Sequence, residues 1–232
     1  VSAAIRLEGV SKAFGAGPAA VQALRSVSLS IPAGAAVVVA GPSGSGKTTL
    51  LSLLGGLDSP DAGRVVVDGL EVSALGERER SAFRRRRVGF AFQEAHLLEE
   101  LTILENATVP PALLGLPRRA GDERARGLLA QLGLGGRTGA YPRELSGGER
   151  QRAAIARALS HGPGLVLADE PTANLDSQSA QEVTDLLLEL CARHGATAVL
   201  ATHDPRVIGR VPGRVILKDG AVERVEGLPA AD

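Results

Sequence analysis

Residues Gly41 to Thr49, Gly-Pro-Ser-Gly-Ser-Gly-Lys-Thr-Thr, constrain the fold of this chain more than any other stretch. They follow an apolar run, Ala35 to Ala40, that reads as a buried strand, and precede Leu50, Leu51, Leu53 and Leu54, which read as one side of a helix. The order is strand, glycine loop, helix. Gly41, Gly46, Lys47 and Thr48 meet the spacing G-x-x-x-x-G-K-[ST]. Glycines let backbone N–H groups converge on phosphate oxygens, and the N-terminus of the following helix adds partial positive charge. The stretch therefore reads as a phosphate cradle made by Gly41, Pro42, Ser43, Gly44, Ser45, Gly46, Lys47, Thr48 and Thr49. A glycine-rich turn without a ligand uses the same small residues. It leaves Lys47 unexplained, because the helix dipole opposes a cation in the first turn unless an anion is present. The chain has only three lysines, Lys12, Lys47 and Lys218, among 26 basic residues, so lysine here looks chosen.

At 232 residues the chain can bury a core as one large domain or two small ones. Its 26 acidic residues balance the 26 basic ones, so no global field draws it to nucleic acid or to an anionic membrane. Neither a signal-peptide pattern nor an apolar run near the ~18 residues of a membrane span is seen, and the expectation is a soluble chain. The single cysteine, Cys191, excludes an internal disulfide; with Val183, Leu187 and Leu190 it falls on the apolar side of a helix and reads as a buried thiol.

Ile5 to Val10 and Val21 to Ile31 alternate like strands around a loop of Gly, Ala and Pro. Phe14 is placed in that loop, where it suits either stacking on a purine ring or plain packing of the loop. Gly63 to Gly69 predicts a strand and Glu77 to Arg87 a charged helix, whose closing run Arg84 to Arg87 suits a helix end better than a nucleic-acid patch. Val88 to Phe92 is a short strand ending on Gln93. From there to about Ser160 the periodicity is helical: Thr102 to Leu114, Asp122 to Leu132 with Gly133 as the stop, and a helix opening at Ser146. A helical subdomain inserted into an α/β core is expected.

Ser146 with Glu149 has the spacing of a capping box. Gly147 and Gly148 between them each weaken a first helical turn by roughly 1 kcal/mol relative to alanine, which argues against capping as the whole account. A second phosphate-binding helix N-terminus would need such glycines. Leu165 to Ala168 is a buried strand that ends in Asp169-Glu170-Pro171, and ligands of parallel sheets bind beyond strand carboxyl ends. One acid can hold Mg²⁺ while the other faces an attacking water. A helix from about Gln178 to His194 leads to the strand Thr197 to Thr202, which ends on His203. Arg214 to Val225 reads as a hairpin turning at Asp219-Gly220.

With the phosphate loop, Gln93, Leu145 to Gln151, Asp169-Glu170, Asn174-Leu175-Asp176 and His203 in this order and spacing, the sequence resembles the ATPase subunit of ABC transporters. The resemblance spans nearly the whole chain. It implies one ABC ATPase domain over residues 1–232, an α/β fold with a P-loop NTPase (RecA-like) core at about 1–94 and 161–232, an N-terminal antiparallel β part, and a helical subdomain at about 95–160. By the same resemblance the ligands are ATP and Mg²⁺. Phe14 is similar to the residue that stacks on adenine, Lys47 to the one that holds the β- and γ-phosphates, and Thr48 to a metal ligand. Gln93 would sense the metal and the γ-phosphate, Asp169 would hold the metal through water, Glu170 would be the general base and His203 the bridge to the γ-phosphate. Ser146, Gly147 and Gly148 resemble the signature that caps the nucleotide of an opposite subunit, with Asp176 at that interface. The implied active form is a homodimer, or a pair with a similar ATPase, working on an integral membrane permease from the cytoplasmic face.

Leu54 to Asp58, Leu167 to Thr172 and Asn174 to Asp176 look like the group of lipoprotein-release, macrolide-export and cell-division ATPases. Ala173 departs from it, standing where that group usually has glycine. By the same resemblance the helical subdomain just after Gln93 contacts the permease, and Glu94, Glu99 and Glu100 make that segment acidic, which suits a basic partner helix. Two rival functions are a soluble ABC ATPase acting on DNA or ribosomes, which typically carries coiled coils, zinc modules or a tandem domain, and a P-loop kinase, which would lack Leu145 to Gly148. No nucleic-acid partner is expected.

Overall fold

The computed structural model describes residues 3–15, 17 and 20–228. Strands β3 (Ala36–Ala40), β6 (Val88–Phe92), β7 (Leu165–Asp169), β8 (Thr197–Thr202), β9 (Gly213–Lys218) and β10 (Ala221–Glu226) form a sheet in the order β10-β9-β3-β8-β7-β6. All neighbours are parallel except the β9–β10 hairpin. Its turn is Asp219-Gly220, both at positive φ (49° and 78°), as the sequence predicts.

The central strands are apolar at nearly every position because both faces of the sheet are covered. Val38, Val166, Ala198 and Leu200 enter one core, whereas Val39, Leu167, Val199 and Ala201 enter another on the opposite face. The first core is completed by α3 (Ile103–Leu113), α4 (Arg118–Gln131), α5 (Gly147–Leu159) and α6 (Ser177–His194). Helices α3 to α5 lie between β6 and β7, where no strand occurs among the described residues. Their core runs into the sheet face without a break, so this helical part is not sealed off from the rest. Cys191 is buried there, and burial pushes its thiol up to about 12, out of reach of thiolate chemistry.

The second core is roofed by an antiparallel sheet, β2 (Val21–Pro32), β1 (Ala3–Phe14), β4 (Ala62–Val67) and β5 (Leu70–Glu71) in that order. Helix α1 (Lys47–Leu54) lies between the two sheets, and its four leucines are all buried. They form the one side the sequence assigns to them, with Thr48 exposed and Thr49 and Ser52 half-buried on the other.

Three expectations are corrected. Phe14 is not in a loop: it ends β1, paired with Val21, because β1 and β2 continue past Val10 through a series of register shifts. Helix α4 starts at Arg118 rather than Asp122, directly after Pro117. The capping box at Ser146 does form, with the Glu149 carboxylate accepting from the Ser146 N–H (2.8 Å) and the Ser146 hydroxyl accepting from the Glu149 N–H (3.3 Å). The glycines do not prevent it, since the box uses the side chains on either side of them. Helix α2 (Glu77–Arg87) ends in the arginine run, and Arg84 donates to the Gly56 carbonyl (2.6 Å) and to Glu77 (3.0 Å).

Candidate active site

Strand register assembles the site. Ala40 pairs with Thr202, Ala201 with Asp169, and Asp169 with Phe92, so β3, β8, β7 and β6 finish in one row. The residues that follow these strands are Gly41, His203, Glu170 and Gln93. They stand on the edge where parallel sheets bind ligands.

The loop after β3 needs its glycines for packing. A Cβ on Gly41 would lie 2.2 Å from the Leu217 carbonyl oxygen, and one on Gly46 (φ 101°) would lie 2.4 Å from that of Ala23. Gly41→Ala is therefore expected to cost about 2 kcal/mol through overpacking, read as a lower midpoint in urea at unchanged slope. Pro42, Ser43, Gly44 and Thr48 are exposed, and Thr49 is half-buried. The Ser45 hydroxyl is buried without a hydrogen-bond partner, so only the backbone of Ser45 is available to a phosphate. Lys47 is 8 % exposed, and its Nζ donates to the carbonyls of Gly41 (2.9 Å) and Pro42 (3.0 Å). The loop's own oxygens hold this ammonium at the start of α1, with no carboxylate in ion-pair distance among the described residues.

Burial raises the pKa of Asp169, and the Glu170 charge adds to this. A hydrogen bond from Thr48 and the Lys47 charge oppose both without cancelling them. A carboxylate destabilised as an anion gains from a nearby cation. Among the described residues no group of three or more His, Cys, Asp or Glu could enclose a metal. The Thr48 hydroxyl and Asp169 alone fit Mg²⁺, which keeps waters and takes its other ligands from phosphates.

Glu170 has a φ of 44°, a left-handed conformation that costs a non-glycine residue on the order of 1 kcal/mol. Its N–H donates to the Ala201 carbonyl (2.8 Å), which fixes the kink. The carboxylate takes a hydrogen bond from the Thr202 hydroxyl at one oxygen (2.8 Å) and meets His203 Nδ1 at the other (2.7 Å). His203 is otherwise open to solvent. The Thr202 hydroxyl was not singled out by the sequence reading; its signal is position, the last residue of β8, one before His203.

Gln93 lines a hollow of about 290 Å³ together with Glu94, Glu99, Gly147, Arg150 and Leu175. The acids of this segment thus face the start of α5. Two further residues have no role in the sequence reading. Gln151 Nε2 donates to the Phe92 carbonyl (3.0 Å), and buried Asn106 accepts from the Leu98 N–H (2.8 Å) while its amide N–H groups face the carbonyls of Leu98, Leu101 and Thr102. Both fasten the stretch around Gln93 to the helices.

Ser146 caps α5, and Gly147 and Gly148 open it. Gly147 packs on Leu175, and the N–H groups of Gly147 and Gly148 donate to nothing among the described residues. Asp176 caps α6, accepting from the N–H groups of Gln178 and Ser179 and from the Ser179 hydroxyl (2.6 Å); these bonds hold its carboxyl below the usual range. Phe14 is 48 % exposed, with Lys12 Nζ 5.4 Å over its ring.

Residues 24–173 match the family described as ABC transporter. The chain is 48 % identical to the macrolide export ATP-binding/permease protein MacB 1/2 of Paracoccus denitrificans, covering 98 % of this chain but only 34 % of that longer protein. It is 46 % identical to the lipoprotein-releasing system ATP-binding protein LolD of Cereibacter sphaeroides, covering 93 % of this chain and 97 % of the relative. Its structure is similar to that of a dimeric ATP-binding cassette in a post-hydrolysis state bound to ADP and Pi, with a TM-score of 0.88, 38 % identity, and coverage of 97 % and 99 % of the two chains. No described helix is long and apolar enough to cross a membrane. The chain belongs to the ABC transporter family, as an ATPase cassette of the lipoprotein-release and macrolide-export type.

Proposed function

We propose that this chain hydrolyses ATP at a site completed by a second ATPase chain, and that closing and reopening of the pair drives a separate membrane permease of export or lipoprotein-handling type. The observation that carries this reading is the start of α5, a second glycine-bearing helix N-terminus besides that of α1, where the N–H groups of Gly147 and Gly148 donate to nothing among the described residues. Two anion-binding helix ends on one molecule then need two molecules to enclose one nucleotide. Phe14 stacks on the base, residues 41–49 wrap the phosphates, and Lys47 turns from its loop carbonyls to the β- and γ-phosphates. Thr48, Asp169 and Gln93 would hold Mg²⁺, which would neutralise phosphate charge. Glu170, oriented by Thr202 and His203, takes the proton of the attacking water. Ser146, Gly147 and Gly148 of the other chain, with Asp176 at the seam, stabilise the γ-phosphate until it leaves.

On this reading residues 1–94 and 161–232 act as the nucleotide-binding core and 95–160 as the arm, held at the cytoplasmic face by the permease. The arginine run of α2 is committed to a helix end, so no nucleic-acid partner is proposed. A complementation experiment tests the shared site. Lys47→Ala and Gly148→Asp chains are each expected to be inactive, and their mixture is expected to recover activity, because one mixed site has an intact loop from one chain and an intact α5 start from the other. A mixture as inactive as its parts excludes a shared site.

A further inference from the structure

Phe14 and its cross-strand partner Val21 are large apolar side chains left in solvent at the end of β1, 48 % and 66 % exposed. Regular strand pairing does not hold them. The ladder from β1 to β2 shifts register on both sides of Lys12, and the ladder from β1 to β4 shifts between Glu8 and Ser11. What fastens this end of β1 is the turn that follows α1. The Lys12 side chain is only 12 % exposed, and its Nζ donates to Asp58 Oδ1 (2.9 Å) and to the Ser59 carbonyl (2.8 Å), with Asp61 Oδ1 at 3.7 Å. Asp61 Oδ2 accepts the Ala13 N–H (2.6 Å), and the Asp61 N–H donates to the Ser11 carbonyl (2.9 Å). Ser11, Lys12 and Ala13 are thus each tied to residues 58–61. Burial pushes the Asp58 carboxyl up, but hydrogen bonds from Lys12 and the Ser59 N–H, with the charges of Lys12 and Arg80, outweigh it and hold the carboxyl below its usual range. Helix α2 also braces the turn, Arg80 donating to the Ser59 hydroxyl and Arg84 to the Gly56 carbonyl.

The same Lys12 ammonium lies 5.4 Å from the centroid of the Phe14 ring. A cation at that range is attracted by the ring's quadrupole, the more so when it is shielded from water. We propose that Lys12, clamped by Asp58 and Asp61, is a positioning residue that sets the Phe14 ring to receive the nucleotide base. The inference rests on the reading of Phe14 as the residue that stacks on that base. Helix α1 connects the platform to the phosphates: it begins at Lys47 and runs into the clamping turn, where the Leu57 N–H donates to the Ser52 carbonyl (2.9 Å). Base platform and phosphate cradle are therefore held at opposite ends of one short helix, which sets the span between them. A ring released from Lys12 keeps its apolar surface but turns freely about its side-chain bonds, so stacking then bears the cost of ordering it.

Calorimetric titration of the full chain with ATP and with inorganic tripolyphosphate, which lacks base and ribose, tests this. Phe14→Ala is expected to weaken ATP about 10-fold and to leave tripolyphosphate unchanged. Lys12→Met, which keeps the apolar stem, is expected to weaken ATP about 3- to 5-fold with tripolyphosphate again unchanged. The double variant is expected to bind ATP no more weakly than Phe14→Ala alone, because Lys12 acts through the ring. Asp58→Asn, which keeps the size of the side chain, is expected to lose part of the same preference for ATP. Equal weakening of both ligands by Lys12→Met makes the residue a support of the fold only and overturns the proposal, as does a double variant whose loss is the product of the two single losses. A normal loss in Phe14→Ala beside an unaffected Lys12→Met refutes the positioning role alone. A Phe14→Ala chain that keeps its full preference for ATP removes Phe14 as the base platform, and with it the reading on which the inference rests.

Discussion

Glu170→Gln is expected to slow hydrolysis by about 10²- to 10⁴-fold while leaving ATP bound and two chains closed around it. Glutamine keeps the length of the side chain and an oxygen for the Thr202 hydroxyl, so the 2.8 Å contact survives. What it loses is the basic oxygen next to His203. On the proposed reading nucleotide affinity resides elsewhere, in the loop after β3 and the start of α5, so binding and closure are expected to proceed while the step that would reopen the pair stalls. Single-turnover phosphate release measures the first effect, and light scattering at saturating ATP the second. A variant that stays monomeric with ATP bound sinks the shared-site reading, and one that keeps its full rate removes Glu170 as the base.

Lys47→Ala is expected to lose about 10²- to 10³-fold in ATP affinity. Hydrogen bonds to charged groups contribute about 1.5–3 kcal/mol each, and removing two such contacts to phosphate gives a loss of that order. The fold should tolerate the change, because the partners of Nζ in this structure are two loop carbonyls that water can serve once the side chain is gone. Calorimetric titration with ATP reads the affinity, and the denaturation midpoint separates it from a folding defect. Unchanged affinity with an intact fold refutes the phosphate role.

The local chemistry was legible in the sequence because it is written in short runs. Gly41 to Thr49, the apolar strands and the acids that end one of them each carry their own signal within a few residues. The Asp219-Gly220 turn and the stop at Gly133 follow from glycine's access to positive φ in the same way. Boundaries set by pairing were less legible. Phe14 looked like loop because the strand it ends is held by a shifted register with β2, which no single segment contains.

The strand end marked Asp169 and Glu170 as a pair of site acids, but the sequence held no sign of the left-handed backbone of Glu170 or of Thr202 beneath it, since both depend on β7 lying next to β8. The same holds for charge. Glu94 and Glu99 precede α3 in the chain and Arg157 lies far along it, yet packing turns the acids toward the start of α5 and brings the arginine to the carbonyls of Ala95 and His96. Sequence alone determined where the glycine loop and the acid-ended strand stand, because backbone freedom and residue type act locally. Only the tertiary structure decided which charges face which surface, because that depends on contacts between residues distant in the chain.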